Sequence, residues 1–445
     1  MAKEKHIFFC TNCGQEESKW LGKCPACGEW NSFTEHKVTK TSKGKEIKRA
    51  SSTSLNSIKI DDSYRYKTGI KEVNQVLGGG LMKGSSVLIG GEPGIGKSTL
   101  LLQIADSIDK NHSVLYVSGE ESANQIKLRS TRLGIAGDGI SIICDSHFES
   151  IIETIKTEKP ELIIIDSIQT LQSDEAGNIP GSVNQLKYCC SQLIREAKTI
   201  ESSLFFIAHV TKEGIIAGPK VVEHMVDTVL YFDNSASQIR ILRSVKNRFG
   251  SIDEVGLFSM EEKGLVELKD PSGVFLTKRD KGLPPGIAIG ATMEGTRVIL
   301  TEIQILTVPA KGTTSRIFSD NIDSNRVSRV AAILEKHGGL RFSDRDIYVN
   351  VAGGIKIKET GIDLPLALAL YSSRTDIAIK EGILSAGELS LAGEIRSVPH
   401  IDRRIKTGAD MGFKTFISPI TINKSSLEVK EVRNIKEGIS QILGD

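Results

Sequence analysis

Short apolar runs alternate with segments of helical spacing through the middle of the chain. The runs lie at residues 86–89, 113–117, 162–165 and 204–207, and segment 98–108 has a helical pattern. Continuous runs of this length, rich in Ile, Leu and Val, predict strands that are buried on both faces of a parallel sheet. The alternation of such strands with helices places residues 61–275 in the α/β class.

A second region of strands and helices is predicted beyond a Gly/Pro-rich stretch at residues 281–286. This region, residues 287–445, has a strand pattern at 347–351 and helical patterns at 327–337 and 364–371. Before the first α/β region, residues 36–60 contain seven basic residues, one acidic residue and no aromatic. This composition predicts a flexible basic linker, and a merely solvated tether is the alternative.

Composition and charge exclude few functions. The 445 residues are 39% hydrophobic and 25% charged with a net charge of +2, so any attraction for nucleic acid must be local. No apolar run reaches the ~18 to 20 residues of a membrane span, and the N-terminus lacks the apolar core of a secretion signal. The seven cysteines, an odd number, then indicate a reducing cytoplasm. Cys144, Cys189 and Cys190 lie in apolar or helical stretches and are predicted to be small core residues.

Four cysteines near the N-terminus have the spacing of a metal site. Cys10 and Cys13 form one Cys-x2-Cys pair, and Cys24 and Cys27 form a second. Two such turns bring four thiolates to one cation, and Zn²⁺ favours a tetrahedral shell of this kind. Residues 1–35 are therefore predicted to form a structural zinc ribbon, with an iron–sulfur site and redox-active thiols as alternatives.

The segment after the first apolar run has the pattern of a phosphate-binding loop. The loop and the start of its helix are Gly91, Glu92, Pro93, Gly94, Ile95, Gly96, Lys97, Ser98 and Thr99. The pattern G-x4-G-K-[ST], between a strand and a helix, directs backbone N–H groups at phosphates. Lys97 is predicted to reach the β/γ-phosphates of ATP, and Ser98 is predicted to ligate Mg²⁺.

Carboxylates that follow two other runs extend the candidate site. Asp166 comes directly after run 162–165 and is predicted to hold Mg²⁺. Glu120 and Glu121 follow run 113–117, and from the residues alone either of them could polarise the attacking water. The sequence thus predicts an ATP-hydrolysing site at one edge of the sheet.

With these motifs, residues 61–270 resemble a RecA-type ATPase. The resemblance implies that Glu120, rather than Glu121, activates water. It implies that His209, which follows run 204–207, senses the γ-phosphate. It also places glycine-bearing loops near 177–181 and 212–220 in the channel of a ring, where Lys212 and Lys220 would contact DNA.

A short basic segment makes the resemblance more specific. The segment consists of Lys246, Asn247, Arg248, Phe249 and Gly250. Together with the paired cysteines it is similar to the RadA (Sms) family of bacterial DNA-repair ATPases, over essentially the whole chain. The resemblance implies a homo-hexameric ring, a recombinase partner, and single-stranded DNA and branched recombination intermediates as ligands. Lys246 and Arg248 would reach the ATP of a neighbouring subunit.

The last region resembles the proteolytic domain of Lon. Stretches 346–365 and 393–402 are similar to those that carry Lon's nucleophilic serine and catalytic lysine, and here Asp363 and Asp402 stand at those positions. A carboxylate cannot replace a Ser–Lys dyad in forming an acyl-enzyme. The resemblance therefore implies a Lon-like fold without peptidase activity, serving as a hexamerisation platform. Asp363 is also predicted to cap a helix that begins at Leu364.

The function predicted from the sequence is a DNA-dependent ATPase of recombination and repair. It would translocate on single-stranded DNA and promote branch migration. An ATP-dependent Lon-like protease and a KaiC-like signalling ATPase or kinase are the alternatives. The missing dyad disfavours the first alternative, and the zinc motif and the basic linker disfavour the second.

Overall fold

The four apolar runs of the middle region all form strands in the computed structural model of the chain. The structure describes residues 5–10, 15–38, 54–57, 64–108, 112–176, 181–209, 220–234, 239–268, 275–277, 279–280, 282–312, 315–420, 425 and 427–443. The chain divides into two units. The first comprises Met1–Ile70, Gly79–Leu230 and Lys246–Phe249, and the second comprises Lys71–Gly78, Tyr231–Val245 and Gly250–Asp445.

Strands and α-helices alternate from Ser86 to Asn234, and the elements on either side, back to residue 5 and on to residue 268, are mostly strands. The strands are β1 (Lys5–Cys10), β2 (Glu16–Glu17), β3 (Phe33–Val38), β4 (Arg65–Tyr66), β5 (Leu81–Met82), β6 (Ser86–Gly91), β7 (Val114–Ser118), β8 (Ile140–Ile143), β9 (Leu162–Asp166), β10 (Ser203–His209), β11 (Thr228–Asn234), β12 (Ile239–Asn247), β13 (Val255–Glu261) and β14 (Gly264–Glu267). The helices are α1 (Lys71–Val76), α2 (Lys97–Ser107), α3 (Ala123–Arg132), α4 (Phe148–Glu158), α5 (Val183–Thr199) and α6 (Lys220–Met225).

The rest of the chain continues the mixed pattern. Its strands are β15 (Ile287–Glu294), β16 (Arg297–Pro309), β17 (Ile317–Ser319), β18 (Arg345–Val351), β19 (Ile383–Ser385), β20 (Glu388–Leu389), β21 (Ile395–Arg396), β22 (Thr415–Ser418) and β23 (Glu428–Glu431). Its helices are α7 (Ser324–Gly338), α8 (Asp363–Thr375), α9 (Ile401–Asp410) and α10 (Ile435–Leu443). In the part of the chain that the structure describes, none of the helices is both long and apolar enough for a membrane span.

A parallel sheet forms the centre of the first unit. The strand order is β6-β10-β9-β7-β8, and neighbours in this order run parallel. Every side chain of β6, β7 and β9 is buried, as the continuous apolar runs predict for strands covered on both faces. The predicted α/β class is therefore confirmed for this unit.

The N-terminal segment is a three-stranded antiparallel sheet of order β2-β1-β3. The register of β1 and β3 pairs Lys5 with Val38 and Cys10 with Phe33. Its core is very small: among the described residues of the segment, Cys10, Cys24 and Phe33 are buried together, with Phe8 partly buried against them. Apolar burial on this scale contributes little free energy, so the fold of the segment requires another source of stability.

In the second unit, a seven-stranded sheet has helices on both faces. The strand order is β17-β18-β16-β15-β19-β22-β23. On one face, side chains from α7, α8 and α10 pack against β15, β16 and β18 in an aliphatic core. On the other face, α9 packs through Ile401 and Ile405 against residues that include Ile289 and Phe416. The mixed α/β character predicted for this region is confirmed.

Two predictions about single residues are wrong. Asp363 does not cap α8, because a 3-10 turn (Thr360–Ile362) runs directly into the helix and Asp363 already has helical φ and ψ of −61° and −42°. Ile362 holds the N-cap position instead. Cys144 is exposed rather than in the core, because it follows β8, the last strand of its sheet, which has a neighbour on one side only. Cys189 and Cys190 are buried, as predicted.

A buried arginine supports the second unit and makes its stability testable. Arg404 is fully buried, and it donates to Ala291 O at 2.5 Å and to Pro399 O at 3.1 Å. It also pairs with the Glu359 carboxylate. Arg404→Met keeps most of the apolar volume but removes the ion-pair partner of Glu359 and the side-chain donor to the Ala291 carbonyl. We expect the free energy of unfolding to fall by about 3–5 kcal/mol in urea titrations followed by circular dichroism.

The neighbouring Arg403 is the matched control for this substitution. Its side chain is exposed, so Arg403→Met should change the free energy of unfolding by less than about 0.5 kcal/mol. Equal effects of the two substitutions would show that the interior does not depend on Arg404 as a partner for Glu359.

Candidate functional site

The register of the parallel strands brings the predicted site residues to one edge of the sheet. His209 at the end of β10 is paired with Gly91 at the end of β6. Asp166 at the end of β9 is paired with Ser118 at the end of β7. Because all four strands run in the same direction, the loops that follow them converge at the same edge.

The phosphate-binding pattern forms a strand–loop–helix turn. The loop lies between β6 and α2, and its backbone has positive φ at Gly94 and Gly96, 77° and 115°. A side chain at Gly94 would be strained by this backbone, although the space beside it is open. The Lys97 ammonium donates to the carbonyls of Gly91, at 2.7 Å, and Glu92, at 3.0 Å. Ser98 and Thr99, half-buried in the first turn of α2, follow it. This glycine-lined turn at a helix N-terminus fits a nucleotide phosphate.

Asp166 is buried at the end of β9 and is held by a tyrosine. The Tyr116 hydroxyl donates to Asp166 Oδ2 at 2.5 Å. Burial and the neighbouring carboxylate raise the pKa of Tyr116 well above its usual value, so the phenol stays protonated and remains a donor. The bond occupies one lone-pair direction of the carboxylate and leaves Asp166 Oδ1 for another partner. A carboxylate and the Ser98 hydroxyl are oxygen ligands of the kind that Mg²⁺ prefers.

The structure separates the two adjacent glutamates. Glu120 Oε1 accepts a hydrogen bond from Ser167 Oγ at 2.7 Å and lies 3.2 Å from His209 Nε2. Glu121 instead forms an ion pair with Arg129. Glu120 therefore faces the candidate site, and the Glu121 carboxylate is engaged by helix α3.

His209 lies between the loop lysine and this glutamate. Its Nδ1 is 3.5 Å from Lys97 Nζ, and its Nε2 is the atom near Glu120. Burial lowers the pKa of Lys97 to about 8, although the negative charges of Asp166 and Glu120 act in the opposite direction. The lysine thus shares its surroundings with a histidine and two carboxylates.

The basic segment at 246–250 makes several contacts within its own unit. Lys246 Nζ donates to the carbonyls of Glu223, at 2.8 Å, and Val226, at 2.7 Å, at the C-terminal end of α6. Arg248 Nη1 is 3.6 Å from Asp227 Oδ1, and the Arg248 side chain is 58% exposed. Asn247 and Phe249 brace the turn, because the Asn247 side-chain oxygen accepts from the Phe249 N–H at 3.0 Å. The ammonium of Lys246 is directed inward, whereas the guanidinium of Arg248 lies at the surface.

Sequence reasoning missed two residues that organise this edge and one buried carboxylate at the opposite end of β6, beside Ser86, the first residue of that strand. They are Tyr116, Ser167 and Asp227. The buried carboxylate of Asp227 accepts from Ser86 N at 3.1 Å and Ser86 Oγ at 2.8 Å, and it faces Arg248. Two of the three carried a weak signal: Tyr116 is the one aromatic residue of its apolar run and ends in a hydroxyl, and Ser167 directly follows Asp166. Asp227 carried none.

The N-terminal cysteines converge as a metal site requires. The sulfur atoms of Cys10, Cys24 and Cys27 all lie within 4.8 Å of one another. The backbone turns back sharply here, with Gly28 N donating to Cys24 O at 2.9 Å and Gly28 at a φ of 75°. Cys13 lies outside the described residues. Three clustered sulfurs, with a fourth cysteine three residues from Cys10 in the sequence, fit the donor set of a tetrahedral Zn²⁺ site.

The two predicted DNA contacts receive little structural description. Lys212 and residues 177–180 lie outside the described residues, and Lys220 is the first residue of α6. Both residues remain predictions.

At the Lon-like positions, the structure shows an ion pair rather than a dyad. Asp363 is buried, and its Oδ1 lies 2.9 Å from Arg326 Nη1. Its Oδ2 accepts from Leu389 N at 3.3 Å. Burial raises the pKa of Asp363, and Arg326 opposes that shift. Asp402 is exposed on α9.

Comparison with known families agrees with this division of the chain. Residues 8–35 match the rubredoxin metal binding domain, and residues 66–141 match the KaiC ATPase family. Residues 319–422 match the family described as subunit ChlI of Mg-chelatase. With the fold and the phosphate loop, these matches define a RecA-like ATPase that carries an N-terminal zinc-ribbon domain, and the predicted fold class is confirmed.

Full-length relatives make the assignment specific. A DNA repair protein RadA from Treponema pallidum is 51% identical over 94% of this chain and 93% of its own length. A protein of the same name from Bacillus subtilis is 44% identical over 100% of both chains. The chain belongs to the RadA family, as the sequence resemblance implied.

The lowered pKa of Lys97 predicts a proton uptake on ATP binding. With a pKa of about 8, Lys97 is charged at pH 7 and mostly neutral at pH 9 in the free protein. A bound triphosphate favours the ammonium form, so binding at pH 9 should take up about one proton and should be weaker than at pH 7. Calorimetric titrations in two buffers of different ionisation enthalpy measure this uptake.

Arginine provides the control, because its guanidinium stays charged at both pH values. Lys97→Arg should abolish the uptake at pH 9. A similar uptake in that variant would assign the titration to another group.

Proposed function

We propose that this chain is a DNA-dependent ATPase that assembles as a homo-hexameric ring, translocates on single-stranded DNA and promotes branch migration of recombination intermediates. The printed names of its relatives, DNA repair protein RadA, support the repair context. The observation that carries the proposal is the arrangement of Lys97, His209, Glu120 and Asp166 at one edge of a parallel sheet, beside a phosphate-binding loop.

Each of these residues has a role that its contacts support. Lys97 supplies positive charge to the β/γ-phosphates, where it acts strongly because its surroundings are poorly solvated. Ser98 and Asp166 would hold Mg²⁺, which neutralises phosphate charge when bound. Glu120 accepts the proton of the attacking water, and Ser167 orients the carboxylate for this step. His209 lies between Lys97 and Glu120. It can therefore link the γ-phosphate, which Lys97 contacts, to the general base Glu120.

Arg248 is proposed to act in trans. RecA-type rings bind ATP at the boundary between subunits, and an arginine that enters from the neighbour stabilises charge on the transferred phosphoryl group. The guanidinium of Arg248 is more than half exposed, and Asp227 orients it from within its own subunit. Lys246 is proposed to reach the neighbour's ATP together with Arg248. Within its own subunit its ammonium binds carbonyls at the C-terminal end of α6 and just beyond it.

The remaining parts of the chain are proposed to serve assembly and DNA binding. Residues 1–35 would form the zinc ribbon, 36–60 the basic linker, 61–275 the ATPase domain and 287–445 a Lon-like platform for the ring. The buried Asp363–Arg326 pair supports loss of peptidase activity, because a carboxylate engaged by arginine is not an acyl-forming nucleophile. Lys212 and Lys220 would contact the strand in the channel.

The adjacent glutamates provide a matched pair of variants. Glu120→Gln should still bind ATP but should lose DNA-stimulated turnover by a factor on the order of 10²–10⁴, since the general base is removed. Glu121→Gln disturbs the pair with Arg129 and should retain most of the turnover. Phosphate release with and without a single-stranded oligonucleotide, beside binding of a fluorescent ATP analogue, measures both effects.

Two results of this comparison would contradict the proposal. A larger loss for Glu121→Gln would show that the wrong carboxylate is assigned. Turnover of the unchanged protein that does not respond to DNA would reject the DNA-dependent motor.

The zinc proposal has its own test. The protein should contain about one zinc per chain, as a single site with four cysteine ligands requires. The double substitution Cys10→Ser with Cys13→Ser should release the metal, because two of four thiolates are lost, while basal ATP turnover persists. Elemental analysis of the native protein gives the stoichiometry, and Cys144→Ser, at an exposed cysteine outside the ribbon, should retain the metal. Iron in place of zinc would support the iron–sulfur alternative.

A further inference from the structure

The two tryptophans of the chain form an exposed pair on the ribbon. The sequence has only two tryptophans in 445 residues, and Trp20 and Trp30 are 51% and 66% exposed. Both indole rings lie beside Gly22, where a methyl group would be 3.8 Å from Trp20 Cζ3 and 3.9 Å from Trp30 Cζ3. Large aromatic side chains grouped at a surface mark an interaction site, because their apolar area stays exposed to water until a ligand covers it.

The backbone of the metal-binding turn holds this pair in place. Trp30 is bridged to Lys23 in an antiparallel arrangement. The Asn31 N–H donates to Gly22 O at 2.7 Å, and Cys24 N donates to Glu29 O at 2.8 Å. These bonds join the segments that carry the two indoles. The rings are therefore presented on an ordered backbone, which reduces the entropy lost when a ligand binds.

The cations nearest the pair suit an anionic ligand, although Glu16, Glu17, Glu29 and Glu35 make residues 15–35 acidic as a whole. Lys23 Nζ lies 5.5 Å from the centroid of the Trp30 ring, and Lys19 precedes Trp20 in the sequence. The chain that follows the ribbon adds seven basic residues and one acidic residue between positions 36 and 60. The acidic residues closest in sequence are Glu17, three residues before Trp20, and Glu29, beside Trp30. Aromatic faces with lysines beside them suit a ligand that has flat rings joined by phosphates.

We propose that Trp20, Trp30 and Lys23 form a stacking site for the bases of single-stranded DNA. Two indoles accept bases of any sequence, and Lys23 and the basic linker attract the backbone phosphates. Duplex DNA does not fit this site, because its bases are stacked on each other and present only their edges. The inference rests on the proposed function for its ligand, but it assigns a binding site outside the ATPase domain.

Indole emission tests this site in the full-length protein, because both emitting residues belong to it. A saturating single-stranded oligothymidylate should quench and shift the emission. A duplex of the same length should have little effect. An abasic strand of the same length keeps the phosphates and lacks the bases, so it should also fail to quench.

Substitutions separate stacking from simple charge attraction. Trp20→Ala and Trp30→Ala should each weaken binding of a labelled strand about tenfold, as the loss of one stacked base predicts. Trp20→Phe and Trp30→Phe retain an aromatic face and should recover most of the affinity. Phe318→Ala removes an aromatic side chain of similar exposure, 44%, from the second unit and is the control. Zinc content verifies that each ribbon variant is folded.

Several results would overturn the stacking site. The labelled strand could bind and stimulate ATP turnover without any change in indole emission. That result would place the DNA elsewhere on the protein and leave the proposed function intact. Equal quenching by the abasic strand would reduce the contact to electrostatics. A site that binds a protein partner instead would leave emission unaffected by every nucleic-acid probe. Absence of DNA-stimulated turnover in the unchanged protein would reject the proposed function itself, whatever the indoles report.

Discussion

The candidate active site depends on the parallel register of β6, β10, β9 and β7. This register aligns Gly91 with His209 and Asp166 with Ser118 at the carboxyl edge of the sheet. Aliphatic side chains cover both faces of these strands, so their relative positions are set by packing as well as by hydrogen bonds. A slip of one residue between β9 and β7 would move Asp166 away from the loop after β7 and turn each side chain of the slipped strand to the other face.

Buried charges around this edge are tolerated because each has a partner. Lys97 donates to two loop carbonyls, and Asp166 accepts from Tyr116. At the opposite end of β6, the buried Asp227 accepts from Ser86. A buried charge without such bonds would cost several kcal/mol, on the order of its desolvation penalty. The same logic applies in the second unit, where Arg404 and Asp363 are buried with partners of opposite charge. These pairs orient side chains more than they add net stability.

The ribbon follows a different principle, because its core is too small to fold by apolar burial. In the part of the ribbon that the structure describes, three buried side chains form its centre, and two of them are cysteines. Thiolate–metal bonds can supply the missing free energy, as they do in small metal-binding domains. A fold stabilised in this way does not need its large aromatic residues inside, which explains how both tryptophans can remain at the surface for a ligand.

Patterns that are local in the chain were sufficient to predict much of this protein. The phosphate loop, the paired cysteines and the apolar runs each occupy a short stretch, and nearest-neighbour geometry sets their structure.

The choice of Glu120 over Glu121, in contrast, came from a resemblance. The side chain of Glu120 contacts a serine 47 residues away and a histidine 89 residues away. Tyr116 reaches Asp166 across 50 residues. Asp363, predicted as a helix cap, instead pairs with Arg326, 37 residues away on another helix. Contacts over such separations depend on strand order and register, which emerge only when the whole domain packs. The sequence by itself therefore determined which chemical groups are present and where the chain turns. Only the tertiary structure decided which of those groups face each other.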